Sequence, residues 1–137
     1  MYLIINTARQ NEMLVALALN HKIWSKKLPV DFNEAEKLLP LIDELVKKSK
    51  SHLPDLKAIF VITGPGPFTS LRIGITVANT LAYTLNIPVV GFRLSDFNSI
   101  KTLLKTGEKK LRAGKKNDFV FPHYGLMPHI TKAKKKW

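Results

Sequence analysis

The segment Gly64-Pro65-Gly66-Pro67-Phe68-Thr69-Ser70 is the strongest local signal for chemistry in the sequence. Two glycines and two prolines between an apolar run and a helical pattern make a sharp, stiff turn. With Thr69 or Ser70 in the capping position, backbone amides stay free at the positive end of the following helix. Gly64, Gly66, Thr69 and Ser70 would then cradle a phosphate or carboxylate, with Arg72 adding a charged contact. No Gly-Lys-Ser/Thr occurs, so a P-loop NTPase is not supported. The plainer reading of the same residues is a structural strand-to-helix turn. A second signal follows at once: Ser70, Gly74, Ala78 and Ala82 recur every four residues and form a stripe of small side chains. Such a stripe admits another backbone at close range, either the chain's own sheet and helices or a partner protein.

Other constellations are thin. His21, His52, His123 and His129 are scattered without the i, i+4 spacing of a helical metal site, and read as surface or turn histidines. Asp43-Glu44 reads as a solvated helix face, and Ser70 lacks the Gly-x-Ser-x-Gly elbow of a nucleophile. There is no cysteine, which excludes disulfides, thiolate zinc sites and cysteine nucleophiles. No catalytic residue and no metal ligand is assigned, and the residues argue against a self-sufficient enzyme.

The elements that must position these residues follow from the apolar pattern. Short apolar runs at 2–7 and 13–19, then Lys22 to Leu28 ended by Pro29, predict a three-stranded antiparallel meander with a polar third strand near an edge. Asn33 or Asp31 caps a helix with Glu34 and Glu36 early and Lys47, Lys48 and Lys50 late, the order a helix dipole favours. Pro40 inside it removes one hydrogen bond and is expected to kink it. The unbroken apolar run Ala58 to Ile62 suits a central strand of parallel type buried on both faces. A helix from about Thr69 to Leu85, a strand at 88–92 and a brief helix from Ser95 or Asp96 through Leu104 complete an α/β domain of mixed sheet. The predicted organisation is a domain at 1–104, a basic linker at 105–117 without apolar periodicity, and a docking segment with a basic tail at 118–137.

In 137 residues the formal charge is +12, of which +3 lies in residues 1–98 and +9 in residues 99–137. A basic tail attracts polyanions by a salt-sensitive, sequence-independent route, which makes RNA a natural partner class. No run reaches the ~18 apolar residues of a membrane span and no signal peptide is evident, so no membrane partner is expected and a cytosolic location is.

Gly64-Pro65-Gly66-Pro67-Phe68-Thr69-Ser70-Leu71-Arg72-Ile73-Gly74 resembles the GPGSFTGLRIG signature of the TsaB (YeaZ) family, a bacterial component in making threonylcarbamoyladenosine on tRNA. Glu36-Lys37-Leu38-Leu39-Pro40-Leu41-Ile42, the run Asn86 to Gly91, the opening strand followed by Asn6-Thr7-Ala8, and the ending Pro122-His123-Tyr124-Gly125 with Pro128-His129-Ile130-Thr131-Lys132 are similar to that family as well. The resemblance implies an actin/Hsp70-like (RNase H-like) domain in an internally shortened member that lacks the family's second α/β domain. It implies a non-catalytic partner of a TsaD-like enzyme, joined by a TsaE-like ATPase and acting on tRNA. Pairing would run through two helices, placing Ser70, Gly74, Ala78 and Ala82 beside Leu38, Ile42 and Leu45 at the interface.

No cofactor of its own is expected, ATP or ADP belonging at an interface of the complex, and a homodimer is a further expectation. Four departures from the family pattern bear on chemistry: Asn6 stands where an Asp is usual, Glu34 where a histidine is common, and Pro67 and Ser70 replace a Ser and a Gly of the signature. Asn6 cannot hold a magnesium-bound water as a carboxylate would. Two rival readings are an RNA-binding adaptor acting through its tail and a relic actin-like nucleotide-binding protein.

Overall fold

The structure is a computed structural model that describes residues 1–30, 33–114 and 119–123. Alternating side chains in the first third of the chain give β1 (Tyr2–Asn6), β2 (Glu12–Leu19) and β3 (Lys22–Pro29). β2 pairs antiparallel with β1, placing Leu3 opposite Leu17, and β3 pairs antiparallel with β2, placing Trp24 opposite Leu17. Asn20 and His21 both take positive φ in the two-residue turn between β2 and β3. β4 (Ala58–Gly64) and β5 (Val89–Arg93) add in parallel, β4 against β1 and β5 against β4. The sheet order is β3-β2-β1-β4-β5. β1 therefore holds the centre expected for β4, while β4 is parallel to both neighbours and buried along its whole length.

Strand parity decides what each face meets. Leu3, Ile5, Val15, Leu17, Ile59 and Val61 share one face, covered by α1 (Glu34–Lys48) over β2 and β3 and by α2 (Phe68–Leu85) over β4. α1 begins after Asn33, whose carbonyl accepts the amides of Glu36 and Lys37, and the helix runs unbroken through Pro40. Asp31 lies outside the described residues. α2 starts one residue earlier than expected, with Pro67 in the cap position, so Thr69 and Ser70 belong to its first turn rather than its cap. It ends on Asn86 in the left-handed region, whose amide reaches back to the last turn.

The opposite face carries the main departure from expectation. The brief helix through Leu104 and the linker over 105–117 are replaced by a short 3-10 turn at Leu94–Asp96 and a full helix, α3 (Ile100–Arg112). Ser99 caps it, its hydroxyl accepting the amide of Thr102 at 3.2 Å. Leu103 is buried under α3, and Gly107 lies against the Phe60 ring, where any Cβ would collide with it. Phe60 in turn stacks on Tyr2 at 5.1 Å and meets Phe92 edge-on at 5.7 Å. Lys110 lies over the Phe92 ring at 4.4 Å. The positions 100, 103, 104, 107 and 111 have helical spacing, but a glycine occupies 107, and lysines, threonines, a glutamate and an arginine fill the rest. Within 105–117, the residues at 115–117 lie outside the described residues.

Residues 119–123 return to the sheet. Asn79, on α2, clamps Val120 with two hydrogen bonds of 2.9 Å, its amide donating to the Val120 carbonyl and its carbonyl accepting the Val120 amide. The His123 amide donates to the Thr63 carbonyl at 2.7 Å. Val120 is buried against Gly91, while Phe119 and Phe121 face outwards. The end of the chain from Tyr124, with the segment Pro128 to Thr131, the lysines 132–136 and Trp137, lies outside the described residues.

Candidate functional site

The strand ends of β1 and β4 bring the Gly-Pro turn against the start of the β1–β2 loop. Asn6, at the end of β1, is buried and accepts the amide of Ala8 at 3.0 Å, which closes a tight turn on its own backbone. Gly66 presses against the Ala8 carbonyl, and Gly64, at φ +132°, lies against the His123 carbonyl; neither position has room for a side chain. The glycines of the turn thus pack against the chain's own backbone. A shallow cleft of about 580 Å³ remains beside them, lined by Arg9, Gln10, Glu12 and Pro67 among others.

Past the turn, Ser70 donates its hydroxyl to Glu34 Oε1 at 2.6 Å, joining the first turns of α1 and α2. Two of the positions at which the chain departs from the family pattern therefore meet each other. Glu34 is buried, so the bond satisfies a carboxylate taken out of water. In the sequence Glu34 reads as a first-turn acid and as a departure from the family pattern, and nothing local to either residue announces the pair. Thr69 is exposed, and the Arg72 guanidinium lies 5.3 Å over the Phe68 ring.

The remaining interface candidates fall inside this chain's own core. Leu38, Ile42 and Leu45 are buried under α1, and Gly74, Ala78 and Ala82 are buried beneath α2. Gly74 faces Thr7, whose Oγ1 would meet any added Cβ, so the small-residue stripe is what lets α2 settle onto the end of β1. The outward residues are their neighbours. Leu39, half exposed, lies on the flank of α1 opposite Glu44, which bridges to β3 through Lys26 at 2.9 Å. Ile73 and Val77 are partly buried on α2. Leu39 lies within the Leu-Leu-Pro motif, but an apolar residue one step off the core stripe carries no separate signal in the sequence. Among the described residues no group of three His, Cys, Asp or Glu side chains could hold a metal ion. None of their helices is long and apolar enough to cross a membrane.

An antiparallel meander followed by a βαβ crossover, with helices on both faces, defines a domain of the actin/Hsp70-like (RNase H-like) class. Residues 31–121 match the family model described as "TsaD: tRNA N6-adenosine threonylcarbamoyltransferase". The chain belongs to this family, on its TsaB/YeaZ side. The tRNA threonylcarbamoyladenosine biosynthesis protein TsaB of Buchnera aphidicola subsp. Acyrthosiphon pisum is 30% identical over 120 residues, 88% of this chain and 51% of that protein. TsaB of Bacillus subtilis is 36% identical over 75 residues, 55% of this chain and 31% of that protein. Among solved structures, YeaZ from Pseudomonas aeruginosa superposes with a TM-score of 0.65 at 30% identity, covering 67% of this chain and 43% of that one. The chain thus matches about a third to a half of the length of these relatives.

Proposed function

We propose that this chain is a non-catalytic scaffold for a TsaD-like enzyme in the synthesis of N6-threonylcarbamoyladenosine at position 37 of tRNA, with a TsaE-like ATPase as a further member of the assembly. Family membership supplies the pathway, and the strand-end geometry carries the scaffold role. Asn6 offers an amide where a magnesium-binding carboxylate would be needed, and its oxygen already accepts the Ala8 amide. Pro67 brings no N–H to the turn, the Ser70 hydroxyl is already committed as hydrogen-bond donor to Glu34, and that carboxylate would repel an incoming phosphate. These residues do not fit a magnesium nucleotide, and no step is derived through one. ATP or ADP fits the reading only where a partner supplies the missing half of a site.

The pairing surface is the outer side of the α1–α2 pair, with Leu39, Ile73 and Val77 facing the partner while Gly74, Ala78 and Ala82 hold the helix in place behind them. An apolar centre among polar residues is the composition of a protein–protein patch. Leu39→Glu with Ile73→Glu is the test, read by co-purification with the TsaD-like protein and light scattering. The wild-type chain forms a heteromer and the double variant elutes alone with an unchanged melting temperature. A heteromer that survives both substitutions removes this surface from the interface. Gly74→Leu would not serve, because its side chain collides with Thr7 before any partner arrives.

A further inference from the structure

Lys105, Lys109, Lys110 and Arg112, expected from the sequence in a basic linker, lie on a helix. In α3, Lys101, Lys105, Lys109 and Arg112 are all exposed and recur at intervals of four, four and three, so they share one face for about 16 Å at 1.5 Å per residue. Leu103 and Gly107 occupy the opposite side against the sheet. Beside this stripe, between α3 and the β2–β3 turn, runs a groove of about 910 Å³ into which Lys22 and Lys57 also project, together with Lys101 and Lys105.

Two acids border the groove, Glu108 beside the Tyr2 phenol, whose pKa is raised by burial and by that carboxylate, and Asp55, which accepts the His52 amide at 2.9 Å; the four lysines outnumber them. Among the described residues none of Lys22, Lys57, Lys101, Lys105 and Lys109 makes an ion pair, whereas Lys26, Lys47 and Lys48 do. An array of unpaired cations around one concavity concentrates its field there and attracts a polyanion.

We propose that the outer face of α3 and the adjoining groove bind the phosphodiester backbone of RNA, with Lys101 and Lys105 at the centre of the contact. Cations spaced by about 6 Å along a straight helix suit a polymer that repeats its phosphates regularly. A membrane surface suits it less, because an interfacial helix presents apolar side chains beside its charges, and the apolar side of α3 is committed to the sheet. The inference rests on the scaffold reading only for which RNA this is, namely the tRNA that the assembly modifies.

The test is fluorescence anisotropy of an unmodified tRNA transcript with the full chain at a series of salt concentrations. One variant carries Lys101→Glu and Lys105→Glu, and a control carries the same charge change on α1, Lys37→Glu and Lys47→Glu. The other lysines of the chain are present in all three proteins, so the difference reads α3 alone. The wild-type chain binds with an affinity that falls steeply with salt. The α3 variant loses about ten-fold or more and flattens the salt slope by about 1 to 2, the amount expected for two lost phosphate contacts, while the control changes less than about three-fold. Equal losses in both variants, or binding indifferent to salt, overturn the proposal. So does a result in which the α3 variant matters for phosphatidylserine vesicles and not for tRNA. Co-purification with the TsaD-like protein separates the two readings: the α3 variant still enters the heteromer, and failure of every version to do so would sink the scaffold reading while leaving the RNA measurement intact.

Discussion

Ser70 and Glu34 form the contact on which the two front helices depend at the residue scale. The hydroxyl is 2.6 Å from a buried carboxylate, and removing it leaves that acceptor without its donor, at a cost of about 1–3 kcal/mol. Ser70→Ala is therefore expected to lower the urea midpoint with an unchanged m-value. Glu34→Gln keeps an amide oxygen able to accept from Ser70 and costs less. The double variant Ser70→Ala, Glu34→Gln destabilises by less than the sum of the two, and strict additivity in that cycle would show that the carboxylate's charge adds nothing to the bond. Neither residue revealed this in sequence, because the pair is separated by 36 positions and each has an ordinary local explanation, as a helix-start acid and a cap. Asn6 was legible only as an amide in place of a carboxylate; that its oxygen accepts the Ala8 amide and closes a local turn is a finding of the structure.

The elements show where pattern reasoning succeeds and where it stops. β1 to β5 and α2 were readable because their apolar positions alternate or recur at helical spacing and their boundaries carry Pro, Gly or Asn. α3 beyond Leu104 was not, because the position that should carry its central apolar residue is Gly107, and only the Phe60 ring beneath it explains that choice. Gly107→Leu makes this measurable. Relative to glycine, leucine favours a helix by up to about 1 kcal/mol, but a side chain there must displace an aromatic ring packed between Tyr2 and Phe92, at about 1–3 kcal/mol. The net expectation is a less stable protein with greater helix propensity, seen as a lower melting temperature and a weakened near-ultraviolet signal from Tyr2. A gain in stability would mean that α3 does not seat on Phe60. The small-residue stripe was assigned to a partner interface, whereas Gly74, Ala78 and Ala82 are buried in this chain's own core, with Thr7 against Gly74.

The whole molecule carries +12 with ten carboxylates, so each acid that protonates adds to self-repulsion. Glu44 is the clearest case. A hydrogen bond from Lys26, with support from Lys48, holds its pKa below the usual 4.5 against the opposing effect of burial. A lowered carboxylate pKa stabilises the fold above the unfolded value and loses that contribution as pH falls through the folded one. Melting temperature against pH for wild type and Lys26→Met should therefore differ at neutral pH and converge in strong acid; parallel curves throughout would show the bridge to be silent. The same Lys26 bears on a different hazard. β3 is bonded on one side only, and its outer row of amides and carbonyls is a template for a strand of another molecule. Lys22, Lys26 and Lys27 put three cations along eight residues that end in proline, and at the other side of the sheet β5 has only five residues. Two such margins repel or shorten any ladder that a second copy would extend, which disfavours edge-to-edge growth of a sheet whose β4 is buried along its whole length.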